Sequence, residues 1–225
     1  MSRTTTGVYG GQSAEQRRAE RRAQLLEAGL DLIGTQGWSA TTVRGVCTRA
    51  KLTSRFFYES FEDLDALAVA VFDQVVEEAA KEVVDAVAAT PKDDPKAQVH
   101  TAIDIFVRVL TDDPRRARIT FIEALGSEAL LKRRLATAST FSQLIAAQTR
   151  ASVDSSATED PLVDLMARLL TGGLAELLVT WLQGEIEIDR EQLIEDCVAL
   201  FVATAESAVA IARERNRVAP SADEG

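Results

Sequence analysis

Residues 37–67 read GWSATTVRGVCTRAKLTSRFFYESFEDLDAL, and they carry the strongest structural signal in the chain. Thr41 or Thr42 can cap a first short helix, and Thr53 can cap a second one after a break at Lys51-Leu52. Helices of about eight residues do not persist alone in water, so both must be held by packing. The first helix is expected to turn inward Val43, Val46, Cys47 and Ala50. The second is expected to carry Phe56, Phe57, Tyr58 and Phe61. Two short helices joined by a tight turn predict a helix-turn-helix unit.

The charge is unevenly spread along the chain. Residues 1–58 hold nine Lys or Arg against four Asp or Glu, a balance of +5, whereas the remaining 167 residues hold 16 bases and 31 acids, a balance of −15. Such asymmetry suggests a basic module that meets a polyanion, attached to an acidic body that does not. A chance cluster of solvated arginines on a helix face is the alternative. Charge alone leaves both interpretations open.

Helical patterns dominate the rest of the sequence. Ser13 with Gln16 fits a capping box, the helix it opens stops at Gly37, and an i, i+3, i+4, i+7 apolar series from Leu64 predicts a long amphipathic helix. The Asp-Pro steps before Pro114 and Pro161, and Asp189 with Gln192, give further helix starts. We expect an all-α protein of about nine helices. The predicted divisions are a disordered arm over 1–12, a helix-turn-helix domain over 13–60, a helical body over 61–213, and a disordered tail over 214–225.

Composition excludes several classes of protein. Of the 225 residues 46% are hydrophobic and 27% charged, and no apolar run approaches the length of a membrane span. Cys47 and Cys197 stand alone, and His100 is the single histidine, so we expect no metal site and no catalytic triad. No GxSxG, GxGxxG or GxxxxGK[ST] signature is present. The composition predicts a soluble, cytoplasmic protein that is not an enzyme and carries no cofactor.

A wider set of residues in the same stretch follows the spacing of a known family. The set is Thr41, Thr42, Val43, Val46, Ala50, Leu52, Thr53, Phe57, Tyr58, Phe61 and Leu67. With this spacing, residues 41–67 resemble the N-terminal DNA-binding domain of the TetR family of bacterial transcriptional regulators. Two positions depart from the pattern, since Lys51 stands where the family usually has glycine and Leu64 where it often has lysine or another polar residue.

The resemblance and the helix-turn-helix geometry together predict which residues contact DNA. In this unit the second helix enters the major groove and its N-terminal residues reach base edges. The predicted DNA-contact residues are Thr42, Arg44, Lys51, Thr53, Ser54, Arg55 and Tyr58. Arg55 could bind guanine or clamp a phosphate, and Tyr58 could contact phosphate or fill the core. Thr42 and Thr53 could be helix caps and nothing more, and Phe56 could face a thymine methyl or the interior.

The acidic body is expected, by the resemblance, to bind a small effector and to form a homodimer. Segments 160–183 and 190–213 are apolar round most of their circumference, which suggests a four-helix bundle with a second copy. Candidate interface residues are Leu170, Gly173, Leu177, Ile194, Val198, Phe201 and Ala205. Candidate effector-binding residues are His100, Ile103, Phe106, Phe121, Leu125, Phe141, Met166 and Trp181.

The resemblance implies a repressor that binds a palindromic operator as a homodimer and is released by a small hydrophobic effector. A TetR-like activator and an all-helical dimeric adaptor that does not touch DNA are the alternatives. The sequence predicts no membrane partner.

Overall fold

The computed structural model describes residues 13–151 and 160–218, and these residues form helices with no strand. The helices are α1 Ala14–Gln36, α2 Val43–Ala50, α3 Ser54–Tyr58, α4 Leu64–Ala88, α5 Pro95–Thr111, α6 Pro114–Ala117, α7 Glu128–Ala151, α8 Pro161–Leu182 and α9 Arg190–Val218. A π-helical turn over Arg118–Ile122 and a 3₁₀ turn over Glu123–Leu125 connect α6 to α7. The predicted all-α class and the helix count are confirmed.

Most helices begin where the capping residues predict. Ser13 and Gln16 exchange the two hydrogen bonds of a capping box at the start of α1. Asp113, Asp160 and Asp189 each accept a backbone N–H at the start of α6, α8 and α9 respectively. At the other end of α1, Gly37 adopts a φ of 90°, a backbone conformation that residues other than glycine rarely adopt.

The predicted ends differ from the structure at two places. The proposed tail from residue 214 is wrong over 214–218, because α9 continues to Val218. Arg215 lies 3.5 Å from Asp160, and Arg217 lies 3.5 Å from Glu214, so ion pairs support the helix after its apolar periodicity ends. The second short helix is also shorter than expected, because α3 spans five residues. The predicted arm, 1–12, and the last part of the tail, 219–225, lie outside the described residues.

One core joins the N-terminal helices to the body. α4 packs on α1 at its beginning and on α5 and α7 farther along. Its side chains Leu67, Val71 and Phe72 are buried against Leu25 and Ile33 of α1. A smaller apolar cluster joins α7, α8 and α9. α4 therefore links the helix-turn-helix unit to the body through continuous packing. No helix within the described ranges has both the length and the apolar character to cross a membrane.

The short helix α6 lies on α1 through a close and strongly charged contact. Arg115 donates to Asp113 at 2.8 Å and to Glu27 at 2.9 Å, and it lies 3.5 Å from Asp31. The hydrogen bonds from Arg115 hold the pKa of Asp113 below its ordinary value. Gly34 allows the approach, because a Cβ added there would lie 2.5 Å from the Cβ of Arg115. The body is thus held against the same helix that supports α2.

Alanine at Gly34 is expected to lower the free energy of unfolding by about 1–3 kcal/mol, the usual cost of overpacking. The new methyl group would also lie 2.7 Å from the Cα of Arg115, so backbone must move. Urea unfolding followed by circular dichroism measures the change. Gly126→Ala is the control, since a Cβ at this exposed position stays at least 3.4 Å from its neighbours. Equal stability of the two variants would contradict the close contact between α1 and α6.

Candidate nucleic-acid interface

The first helix of the unit, α2, is capped by Thr42. The Thr42 Oγ1 accepts a hydrogen bond from the N–H of Gly45 at 3.1 Å, which settles the choice between Thr41 and Thr42 as the capping residue. Val46 and Cys47 are buried against α1, and burial raises the pKa of the Cys47 thiol. Arg44 lies on the opposite, exposed side of α2. The helix therefore presents Thr42 and Arg44 to solvent while its apolar face fixes its position.

The turn between α2 and α3 is a Schellman motif with lysine at the left-handed position. Lys51 has φ 56° and ψ 37°. Its N–H donates to the carbonyl of Thr48 at 3.2 Å, and the N–H of Leu52 donates to the carbonyl of Cys47 at 2.9 Å. A residue with a Cβ costs roughly 1–2 kcal/mol in this conformation. The chain thus keeps the glycine-type turn with lysine in it, and the Lys51 side chain is exposed.

Phe57 anchors α3 to the rest of the unit. Its ring is fully buried and lies edge-on to Tyr58 with 5.3 Å between ring centres, and 5.8 Å from Phe61. Tyr58 itself is 61% exposed, so it does not fill the core, and its hydroxyl is open to solvent. Thr53 stands at the N-cap position, but its side chain makes no capping hydrogen bond. Contact of these groups with DNA stays a prediction.

Arg55 projects from α3 into solvent, and its side chain is 84% exposed. Its Nε donates to Glu59 Oε1 at 2.9 Å, one helical turn along. An exposed pair of this kind is worth only about 0.3–0.5 kcal/mol, so a phosphate or a base can readily replace the carboxylate. Ser54 is exposed beside it. The open face of α3 therefore carries one hydroxyl, one guanidinium and the Tyr58 phenol.

Two cations of this unit, Arg44 and Lys51, have no carboxylate within ion-pair distance among the described residues. The arginines of α6, by contrast, are each paired with acids of α1, α4 or the adjoining turn. Unpaired positive charge that faces solvent favours a polyanionic partner.

Two arginines of α1 belong to the same region, although their roles are not evident from the sequence. The guanidinium of Arg21 lies over the ring of Phe56, 4.4 Å from its centre, and that of Arg22 lies 4.5 Å from the ring centre of Phe61. In the sequence, the only indication that these arginines belong to the region is the basic run of residues 17–22. It does not show which arginine meets which ring, because that depends on how α1 packs on α3.

The predicted effector-binding residues lie in the body, but several of them are buried or already contact other residues of the protomer. Ile103, Phe121 and Met166 are buried, and Phe106 and Phe141 meet edge-to-face with 6.4 Å between ring centres. His100 lies 3.0 Å from Glu195, and the Trp181 indole N–H donates to the carbonyl of Ile188 at 2.9 Å. The Leu125 side chain lies outside what the structure describes. Effector binding by this set stays a prediction.

The predicted dimer-interface residues differ in how far the protomer covers them, and their contact with a partner stays a prediction. Leu170, Ile194 and Val198 are buried inside the protomer. Leu177, Phe201 and Ala205 are half-buried, and Gly173 is exposed. A different set of apolar side chains is exposed on α8 and α9, namely Leu165, Leu169, Leu200 and Ile211. We call these four the α8–α9 stripe.

Comparison with known proteins agrees with this geometry. Residues 25–71 match the sequence model of the N-terminal domain of bacterial regulatory proteins of the tetR family. No curated protein matches the chain by sequence.

Solved structures match most of the chain. A putative TetR-family transcriptional regulator from Syntrophomonas wolfei superposes with a TM-score of 0.71 at 15% identity, over 84% of this chain and 96% of that one. A TetR-like transcriptional regulator from Rhodococcus sp. RHA1 gives 0.63 at 18% identity, over 85% and 97%. The transcriptional regulator FadR from Bacillus subtilis, in complex with stearoyl-CoA, gives 0.63 at 17% identity, over 83% and 97%.

The structural matches have low identity and show the fold. The sequence match covers the segment that holds most of α1, all of α2 and α3, and the beginning of α4. The resemblance read from residues 41–67 is thereby confirmed. Residues 25–71 thus match the N-terminal domain of the TetR family, and the chain shares the all-α fold of TetR-like transcriptional regulators.

Proposed function

We propose that this chain is a transcriptional repressor that binds a palindromic operator as a homodimer and is released by a small hydrophobic effector. The observation that carries the proposal is the exposed face of α3, where Ser54, Arg55 and Tyr58 project while Phe57 holds the helix from behind. The major groove of B-DNA admits one α-helix. In this geometry Ser54 and Arg55 reach base edges, and Tyr58, Arg44 and Lys51 contact phosphates.

The α8–α9 stripe supports a homodimer. Leu165 and Leu169 are one turn apart on α8, and Leu200 and Ile211 share one side of α9. Four large apolar side chains exposed on two adjacent helices are expected to be covered. A second copy of the chain covers them symmetrically and produces a four-helix bundle. Gly173 lies beside the stripe, and its lack of a Cβ would allow a partner helix to approach closely.

A symmetric dimer determines the form of the operator. Two copies of α3 related by a two-fold axis meet half-sites about 34–36 Å apart, one turn of the duplex. The operator is therefore an approximate palindrome. An effector that favours a different separation of the two helices lowers operator affinity by shifting the population of conformers. α4 is suited to transmit the change, since it packs on α1 and also on α5 and α7.

The effector is proposed to be a small hydrophobic molecule bound within the body. Phe106 and Phe141 bring aromatic rings together from α5 and α7. The FadR of Bacillus subtilis, which shares this fold, is in complex with stearoyl-CoA, an acyl-chain ligand. Apolar pockets with a few polar groups suit ligands of this kind.

Selection of random duplex DNA on the purified protein is expected to enrich a two-fold symmetric motif. The selection is run at roughly 50 and 200 mM salt, because six to ten phosphate contacts would weaken binding by about 10³–10⁵ over that range. If Arg55 contacts bases, Arg55→Ala should blur the motif at one position in each half-site, a discrimination of about 1–3 kcal/mol. If it contacts phosphate, the motif stays and binding weakens for all sequences.

The control for this selection is Lys96→Ala, which removes the same charge from an exposed position on α5, outside the α8–α9 stripe. It should leave both the motif and the affinity as they are. Absence of any enriched motif at either salt concentration would contradict operator binding and favour the dimeric adaptor. A reporter gene placed behind the enriched motif then separates a repressor, which lowers expression, from an activator.

A further inference from the structure

Arg21 and Phe56 form a stacked pair between α1 and α3. The Arg21 guanidinium carbon lies 4.4 Å from the centre of the Phe56 ring, within the range of a cation–π contact. Phe56 is half-buried, so the ring lies at the margin of the unit and the guanidinium covers one of its faces. The ring therefore serves as a platform for an arginine of another helix.

The position of the stack on α3 determines what Arg21 would meet. Successive residues of an α-helix are about 100° apart, so Phe56 lies about 160° round α3 from Ser54 and Tyr58, on the side where α3 meets α1. A helix with its side chains is about 10–12 Å wide and nearly fills a major groove of about 12 Å. Arg21 reaches α3 from α1, beside the helix and not on its groove-facing side, so it would meet the phosphates that border the groove and not the bases within it.

The Arg21 side chain is suited to bind a phosphate. No carboxylate among the described residues pairs with it, whereas Arg49, one helix away, is paired with Asp31 at 2.9 Å. A ring face does not occupy all five N–H donors of a guanidinium, so Arg21 keeps donors for an oxygen acceptor. A guanidinium that is held in place by the ring and still has N–H groups to donate suits phosphate oxygens and loses little side-chain freedom on binding.

We propose that Arg21, stacked on Phe56, is a phosphate-binding residue that grips the DNA backbone beside the groove that α3 enters. Phe56 is then a positioning residue, which acts by holding Arg21. This inference rests on the proposed function, and it adds a contact from α1 to those of α2 and α3.

The salt dependence of binding tests the proposal with the full-length protein. A fluorescein-labelled duplex of about 30 base pairs carrying the selected motif is titrated at several salt concentrations. Each phosphate contact contributes about 0.9 to the slope of log K against log salt, so Arg21→Ala should reduce the slope of the dimer by about 1.8. Loss of a charged hydrogen bond should also weaken binding about tenfold or more at a fixed salt concentration.

Two further variants separate the stack from the charge. Arg21→Lys keeps the positive charge without the planar stack, so binding should weaken while the slope stays near that of the wild type. Phe56→Leu keeps Arg21 but removes its platform, so both the slope and the affinity should fall in the direction of Arg21→Ala. Lys96→Ala, which removes a charge from an exposed position on α5, outside α1–α3 and outside the α8–α9 stripe, should change neither. Circular dichroism melts establish that each variant is folded.

The outcomes distinguish this inference from the proposed function. If the wild-type protein does not bind DNA, the proposed function fails. If the wild type binds and Arg21→Ala has an unchanged slope, the phosphate contact is overturned. If Arg21→Ala lowers the slope and Phe56→Leu does not, Arg21 binds phosphate without the stack, and the role assigned to Phe56 is overturned.

Discussion

Replacing Leu169 with glutamate is expected to make the protein monomeric. The Leu169 side chain is 67% exposed in the protomer, so the change should not disturb the protomer's own packing. In the proposed bundle, however, each copy would bury a charge against the partner's α8–α9 stripe. An unpaired buried charge is among the most costly groups in an interface. Light scattering coupled to gel filtration should therefore give 24.4 kDa for the variant and twice this value for the wild type.

Leu135→Glu is the matched control for this experiment. Leu135 is 62% exposed, nearly as much as Leu169, but it lies on α7 and outside the α8–α9 stripe. Introducing the same charge there should leave the protein dimeric. A dimeric Leu169→Glu variant, or a monomeric Leu135→Glu variant, would show that the stripe is not the interface.

Loss of the dimer is also expected to weaken operator binding. A monomer engages one half-site, and the second half-site no longer gains from the high effective concentration that the linked copy provides. Such linkage is commonly worth about 10²–10⁴ in affinity. Leu169→Glu should therefore bind the full operator about as weakly as a single half-site. Full-strength binding by the monomer would contradict the two-fold model of recognition.

The helix starts could be predicted because their causes are local in sequence. A capping side chain bonds to a backbone N–H only two or three residues away, so Ser13 and Asp189 reveal their helices without knowledge of the fold. At the start of α2 the sequence left Thr41 and Thr42 open, and Thr42 is the cap. Phe57 and Phe61 belong to the spacing that resembles the family, and both are buried.

The outward face of the last two helices could not be predicted in the same way. α8 and α9 are apolar round most of their circumference, so periodicity does not separate the side that meets the protomer's own core from the side left exposed. Ile194 and Val198 face inward because α5 packs against that side of α9. Leu200 and Ile211 are exposed on another side. That choice depends on the arrangement of whole helices.

Contacts between residues that are far apart in the chain could not be predicted from the sequence either. The Arg21–Phe56 stack joins α1 to α3, and the contact of Gly34 with Arg115 joins α1 to α6. Arginine and phenylalanine are common on helix surfaces, and nothing in their local spacing indicates a partner on another helix. Capping residues reveal partners within their own helix, whereas these pairs need the tertiary arrangement.

Phe57→Ala is expected to lower the free energy of unfolding by about 3–5 kcal/mol, the usual cost of removing a buried phenylalanine. The ring is fully buried and touches both Tyr58 and Phe61, and α3 has five residues with which to hold its place. A helix so short has almost no stability of its own. Loss of this anchor should therefore release α3 and abolish DNA binding, even where the body stays folded.

Phe56→Ala provides the comparison, because it removes the same side chain from the next residue. Phe56 is half-buried, so its loss should destabilise the protein clearly less than that of Phe57. Urea unfolding at one protein concentration, followed by circular dichroism, gives both values, and the concentration is kept constant because dimerisation adds to apparent stability. If the two variants lose equal stability, Phe57 is not the residue that secures α3. A larger loss for Phe57→Ala, together with loss of DNA binding, means that one buried ring holds the whole exposed face of α3 in position.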